Sequence, residues 1–201
     1  SKLGKLTKTS PYGTVERPFN PGELVIGAHG TFFARSIDAE VNLTTECMVA
    51  ASKHDGLSVI EVLVNCMIFN NGTHKAFAGD KEVRAEHTIT LRQGEKMLFG
   101  KNMDKGLMLD NMKLKVVTVG ENGVTLDDIL VHDAHEKDTM VHVMLASMKY
   151  PDFPVALGII RDVAEPTYER EVARQIAEVQ ATAKIKNVDD LLNSGETWEV
   201  E

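Results

Sequence analysis

The stretch that decides the fold runs from residue 58 to residue 72 and reads Ser58-Val-Ile-Glu-Val-Leu-Val-Asn-Cys66-Met-Ile-Phe-Asn-Asn-Gly72. It opens with an apolar run that only Glu61 interrupts, and such a run is typical of a strand covered on both faces. Cys66 closes the run, and an Asn- and Gly-rich loop follows it. The stretch therefore predicts a buried strand, residues 58–64, that ends close to a thiol at a domain surface.

Cys66 has two interpretations at this point. A thiol at the end of a strand, just before a loop, is placed where a metal can be held at the surface of a domain. A single cysteine without a nearby partner, however, more often behaves as a buried structural residue. The immediate surroundings of Cys66 in the sequence leave both interpretations open.

The residues before this strand predict an alternation of helices and strands. Asn20 can cap a short helix that has Pro21 at its first position. Apolar residues at helical spacing predict a second helix over 42–53, and a short strand at 31–35 separates the two helices. Strands that alternate with helices pair in parallel through crossover connections. Residues 20–65 therefore predict part of a parallel α/β sheet.

Residues 67–112 have a different character, because Gly, Asn, Lys, Asp and Met are frequent and the apolar periodicity is weak. We predict an irregular segment there, one that buries little apolar surface and needs an external surface to stay ordered. Further on, Asn122-Gly123 predicts a tight hairpin turn, and Thr125 with Asp128 predicts a capping box. The other elements predicted after Cys66 are strands at 87–91, 96–99, 114–119 and 155–160, a helix after Asp138 and a long helix from Pro166.

Composition excludes several classes of function. The 201 residues carry a formal net charge of −8, whereas a nucleic-acid-binding surface needs clustered Lys and Arg. The sequence contains no apolar stretch of about 18 residues that would predict a membrane span, and its first residues lack the apolar core of a signal peptide. Two cysteines, Cys47 and Cys66, predict no disulfide framework. These features together predict a cytoplasmic protein.

The sequence contains no nucleophile elbow, phosphate-binding loop or His-Glu-x-x-His motif, so catalytic residues stay unknown. His132-Asp133-Ala-His135-Glu136 is a cluster that can bind a divalent ion, but a solvated loop explains it more simply. Cys47 lies in the apolar stripe of a predicted helix and is expected in the core. An iron–sulfur cluster is held by four ligands. If Cys66 is such a ligand, its three partners lie outside this sequence.

Several separated phrases of the sequence follow the order found in one enzyme family. The phrase Glu61-Val-Leu-Val-Asn-Cys66-Met-Ile-Phe-Asn70 resembles the segment that supplies one thiolate ligand of a [4Fe–4S] cluster in the beta subunits of thiamine-dependent 2-oxoacid:ferredoxin oxidoreductases. The nearest subgroup is the 2-oxoglutarate type with a long C-terminal extension. Other phrases that carry the resemblance are Thr9-Ser-Pro-Tyr-Gly13, Arg17-Pro-Phe-Asn20, Phe33-Ala-Arg35-Ser36, Phe99-Gly100-Lys101, Asp104-Lys105-Gly106, Leu130-Val-His-Asp133, Pro151-Asp-Phe-Pro154, Pro166-Thr-Tyr168 and Leu191-Leu-Asn-Ser-Gly195.

The resemblance implies an α/β fold with two parts. Residues 1–66 would be the tail of a parallel-sheet domain that binds thiamine diphosphate, and residues 67–201 an irregular α+β C-terminal extension. It implies an enzyme that cleaves a 2-oxoacid oxidatively onto coenzyme A, with thiamine diphosphate and Mg²⁺ for bond cleavage and a [4Fe–4S] cluster for electron transfer to ferredoxin. It also implies Cys66 as a cluster ligand and an alpha subunit as partner.

The family's Gly-Asp-Gly-Asp and Cys-x-x-Cys motifs, which hold Mg²⁺ with the diphosphate and the cluster, do not occur in this sequence. The resemblance therefore implies the larger, C-terminal part of a beta subunit. We expect this chain alone to bind no thiamine diphosphate and to be inactive. Two alternatives stay open: a non-catalytic module for subunit interaction, and a pyruvate-specific member of the same family.

Overall fold

The computed structural model describes residues 3–196 and Trp198; residues 1–2, 197 and 199–201, at the ends of the two predicted parts, lie outside the described residues. The helices are α1 Pro21–Gly27, α2 Val41–Lys53, α3 Lys75–Ala78, α4 Lys81–His87, α5 Met140–Ser147, α6 Tyr168–Thr182 and α7 Val188–Leu192. The strands are β1 Phe32–Ile37, β2 Ser58–Leu63, β3 Thr88–Leu91, β4 Leu98–Phe99, β5 Lys105–Asp110, β6 Lys113–Thr118 and β7 Val155–Asp162.

Within the described residues the strands form two sheets. The first has the order β2-β1-β7-β3, and the second is an antiparallel sheet with the order β4-β5-β6. In the first sheet β1 is parallel to β2 and β7 is parallel to β3, whereas β1 and β7 are antiparallel. The parallel pairing of β1 with β2 through α2 is the predicted one, and the α/β fold class is confirmed.

The core is built on both faces of the first sheet. Adjacent residues of a strand point to opposite faces, and the two fully buried phenylalanines of β1 do so. Phe33 packs into one apolar cluster with residues of α1 and α5, including Ile26 and Leu145. Phe32 packs into a second cluster with residues of α2, among them Cys47. The sheet is therefore covered by helices on each side.

The structure corrects the predicted burial of residues 58–64. Strand β2 ends at Leu63, and all of its residues are half-buried rather than buried. The reason is its place in the sheet, since β2 pairs with β1 on one side and is the edge strand on the other. Helices cover its two faces, as the apolar run predicted, but its outer edge is open.

Two further expectations are wrong. The segment 67–112 does not bury little throughout, because β3, β4, β5 and the turn before β4 supply Ile89, Met97 and Leu107 to the core. The tight hairpin turn lies at Asn111-Met112 between β5 and β6, where both residues have positive φ, and not at 122–123. The Asn-Gly pair instead belongs to a turn that follows β6. The left-handed conformation of a Met gave no signal that sequence patterns reveal.

The described part of the chain separates into two compact units, one ending at Ala164 and one beginning at Glu165. The second unit contains α6 and α7. Arg174 of α6 forms ion pairs with Glu171 and Glu178, and the side chain of Asn187 caps α7. The division at residue 66 concerns the family's domains and stays a prediction. Across residues 3–196 and 198, no helix combines the length and apolar character that crossing a membrane requires.

Candidate functional site

Cys66 lies just beyond the carboxyl end of β2, in a loop that folds back on itself. The carbonyl of Cys66 accepts a hydrogen bond from the backbone N–H of Asn70 (3.1 Å), and the two residues form an isolated bridge. The thiol is exposed, as the side chains of Met67 and Ile68 also are. The exposure and the position after the strand agree with the sequence prediction, while the role of Cys66 as a ligand stays a prediction.

The loop favours the thiolate form of Cys66. Backbone N–H groups, first that of Phe69 and then those of Ile68 and Asn70, donate hydrogen bonds that lower the pKa of this thiol, against a smaller opposing effect of desolvation. A hydrogen bond to the charged form always favours that form. The thiolate is the form that binds metals. The loop is therefore built to present an anionic sulfur at the surface.

Asn65 holds this loop in shape, and sequence reasoning missed it. Its side-chain oxygen accepts from the N–H of Gly72 (2.8 Å), and its amide donates to Asn71 (3.0 Å). Its own backbone N–H donates to Asp38 (3.2 Å), which lies just after β1. The Asn-rich composition of 65–71 was the available signal, since Asn side chains often replace backbone partners in loops.

A buried ion pair lies beside the loop. The Nε of Arg35 on β1 donates to the carboxylate of Glu61 on β2 (2.6 Å), and the two side chains are only 6% and 18% exposed. The same guanidinium donates to the Ala146 carbonyl (3.1 Å) and to Asn20, the cap of α1 (3.3 Å). Three phrases that are separate in the sequence thus meet in one network. A charged residue in each of two apolar strands was the only sequence signal.

This network borders an open cavity of about 630 Å³. Cys66 and Phe69 lie on its wall together with Arg35, Glu61 and His74. The pKa of His74 is lowered, mainly by desolvation. The cavity combines a neutralised ion pair, an exposed thiol and aromatic side chains, which is the mixed lining that cofactor and ligand sites show.

The structure separates the remaining candidate residues from this site. Cys47 is fully buried in α2, where desolvation raises its pKa, as expected of a core residue. His132, expected in a solvated loop, is instead buried, and its Nε2 bonds to the Ile159 carbonyl (2.8 Å). His135 bonds to the Asp162 carbonyl (2.6 Å). Among the described residues no group of three or more His, Cys, Asp or Glu side chains is arranged to hold a metal ion.

The fold has a counterpart among solved structures. A 2-oxoglutarate:ferredoxin oxidoreductase from Magnetococcus marinus, solved with 2-oxoglutarate, coenzyme A and succinyl-CoA bound, is similar with a TM-score of 0.59 over 98% of this chain and 51% of its own. The identity is 15%, so the likeness concerns the fold alone. No family model matches the sequence. The fold places the chain with α/β subunits of oxidoreductases.

The sequence comparisons identify the class more closely. Subunit KorB of 2-oxoglutarate oxidoreductase from Mycobacterium tuberculosis is 33% identical over 204 aligned residues, which span this whole chain and 54% of the relative. Subunit KorB of 2-oxoglutarate synthase from Archaeoglobus fulgidus is 41% identical over 63 residues, and a 2-oxoacid:ferredoxin oxidoreductase beta subunit from Saccharolobus solfataricus is 37% identical over 70. These matches cover 24% and 23% of the two relatives.

The chain is thus homologous to the beta subunits of 2-oxoacid:ferredoxin oxidoreductases, and the resemblance carried by its motifs is confirmed. It spans about half the length of the M. tuberculosis relative, which it matches from end to end.

Proposed function

We propose that this chain forms part of the beta subunit of a 2-oxoacid:ferredoxin oxidoreductase that acts on 2-oxoglutarate in the presence of coenzyme A. Its contribution to the enzyme is one thiolate ligand, Cys66, of a [4Fe–4S] cluster. Two of the named relatives are 2-oxoglutarate enzymes, which supports this substrate over pyruvate. An alpha subunit and ferredoxin are the proposed protein partners.

The observation that carries the proposal is the state of the Cys66 thiol. It is exposed, it follows a strand of the sheet, and backbone N–H groups lower its pKa. These are the properties that a cluster ligand needs, because the iron binds the thiolate and hydrogen bonds to the sulfur tune the reduction potential. Cys47 has the opposite properties, since it is buried and its pKa is raised.

The cluster, when bound, transfers single electrons, and this chain's residues set the surroundings of one of its sulfur ligands. Asn65 fixes the loop through Gly72 and Asn71. Met67 and Ile68, both more than two-thirds exposed, present an apolar rim that limits the access of water once a partner covers it. Thiamine diphosphate and Mg²⁺ are proposed to bind the remainder of the enzyme, which agrees with the lack of a metal-binding group among the described residues.

The test is a substitution of Cys66 by Ser in the assembled enzyme, purified without oxygen. We expect Cys66→Ser to reduce both the iron bound per subunit and the visible charge-transfer absorption, because the serine hydroxyl replaces one of the four thiolates. Secondary structure by circular dichroism should not change, since the side chain of Cys66 is exposed.

The matched control is Cys47→Ala, which removes the other thiol of the chain. It should lower the stability of the protein, because Cys47 is fully buried, and leave the iron content per folded subunit unchanged. Full iron content and absorption in Cys66→Ser, or their loss in the control alone, would refute the assignment. A protein with no iron in any preparation would favour a non-catalytic interaction module instead.

A further inference from the structure

Strand β2 has the properties of an internal strand but the position of an edge strand. Helix α2 packs on one of its faces and α1 on the other. Its sequence, Ser-Val-Ile-Glu-Val-Leu, is almost continuously apolar, as in parallel strands buried on both faces. Its only strand partner among the described residues is nevertheless β1, so one row of its backbone N–H and C=O groups has no strand beside it.

The open edge of β2 also lacks the features by which proteins protect exposed edges. Natural edge strands are short, or carry Lys, Pro or a bulge. Strand β2 has six residues without Lys or Pro, its register with β1 is continuous, and its one charge, Glu61, is paired with Arg35. The opposite edge, β3, is shorter, with four residues, of which Ile89 and Leu91 are buried.

From these observations we infer that the open edge of β2 pairs with a β-strand from the remainder of the beta subunit, the part that the relatives carry beyond this chain. The inference rests on the proposed function, since it takes the remainder to be a physical partner of these residues. It makes β2 an internal strand of a larger sheet in the assembled subunit.

Two observations favour this partner over a second copy of the chain. The M. tuberculosis relative matches this chain over only 54% of its length, so nearly half of such a subunit remains to be packed. Cys66 lies three residues beyond the end of β2, and the other ligands of a cluster must come from elsewhere. A segment that brings them to Cys66 passes the carboxyl end of β2. A two-fold pairing of β2 with its own copy would bring only a second Cys66.

Hydrogen exchange read by mass spectrometry tests the inference. In the 201-residue chain alone, we expect those amides of 58–63 that point away from β1 to exchange rapidly and the others slowly, since amides of one strand point alternately to its two sides. In the assembled subunit the fast group should slow by at least about a hundredfold, because each 1.4 kcal/mol of opening free energy gives about a factor of ten. A fast group that persists there would overturn the inference.

The alternative of a second copy has its own signature. Protection of 58–63 in the isolated chain would then rise with protein concentration, together with a dimer in sedimentation, and this result would also overturn the inference. Iron analysis of Cys66→Ser is an independent readout. If that variant keeps its iron while β2 is protected on assembly, the cluster assignment fails and the pairing stands.

A pair of variants sharpens the test. Val62→Lys places an edge-blocking charge on the half-buried strand, whereas Leu57→Lys places it just before the strand at a residue that is 76% exposed. In the assembled subunit, Val62→Lys should return the exchange of 58–63 to that of the isolated chain, while Leu57→Lys should retain the protection. Equal protection in both variants would contradict the pairing.

Discussion

Gly158 is the glycine whose replacement the structure predicts to be most costly. It lies in β7, between Arg35 of β1 and Leu91 of β3, and its φ is +96°. A Cβ at this position would lie 2.6 Å from the carbonyl oxygen of Leu91 and 3.4 Å from its nitrogen. Both contacts are with backbone of a paired strand, so neither can be relieved by the rotation of a side chain.

The expected loss for Gly158→Ala has two parts. An L-residue at positive φ costs roughly 1–2 kcal/mol. Forcing a methyl group against a fixed backbone costs about 1–3 kcal/mol more, as overpacking does in cores. The total of roughly 2–5 kcal/mol is a large part of a typical unfolding free energy of about 5–15 kcal/mol. For a chain of this size it corresponds to a fall in Tm of roughly 4–20 °C.

Gly120→Ala is the matched control for this experiment. Gly120 has a similar φ of +89°, but a Cβ there would have no heavy atom of the described residues within 4 Å. It should therefore show only the conformational part of the loss, roughly 1–2 kcal/mol. Urea unfolding followed by circular dichroism measures both free energies. Equal losses for the two alanine variants would refute the close approach of β3 to Gly158.

Two further perturbations test the buried charges. Desolvation lowers the pKa of His132 and His142, so each histidine stabilises the fold fully above its unfolded pKa of about 6.5 and loses this as the pH falls below that value. The midpoint of urea unfolding should therefore fall between pH 7 and pH 5, and less steeply in His142→Gln; a flat profile would contradict this. Glu61→Ala leaves the guanidinium of Arg35 buried without its partner, which should cost about 3–5 kcal/mol. Lys101→Ala removes an exposed ion pair and should cost under about 1 kcal/mol in the same unfolding assay; equal losses would show that the Arg35 pair is not desolvated.

Local structure was predictable wherever one or two side chains decide it. Asn20 accepts from the N–H of Gly22 (2.9 Å), so the predicted start of α1 at Pro21 is confirmed. The capping box of Thr125 and Asp128 is present as predicted. Both motifs involve residues within three positions of each other, and their hydrogen bonds can be read directly from the order of the residues.

The arrangement of the first sheet was not predictable in the same way. The strand over 155–160 was expected, but its position between β1 and β3 was not. Such pairings join residues far apart in the chain, and an apolar run does not record its neighbours. The burial of β2 was misjudged for the same reason, because apolar faces give no information on which strand lies at an edge.

The candidate site shows the same division. An exposed thiol at Cys66 after a strand could be predicted, because the run that ends there is local. The Arg35–Glu61 pair could not, since it depends on the register that sets these two residues directly opposite each other in β1 and β2. That register aligns Ile37 with Leu63, so both strands end together, and Asn65 then ties the loop to Asp38.

One partner would complete three features that meet at the carboxyl end of β2. The open edge of β2 needs a strand, the Cys66 thiolate needs further ligands around any cluster, and the cavity beside Arg35 needs a wall. Ligand sites of α/β sheets lie outside the carboxyl ends of the strands, which is where these features coincide. Separate partners for each would have to share one small region. A single segment from the remainder of the subunit satisfies all three, and the exchange of 58–63 and the iron content of Cys66→Ser test it independently.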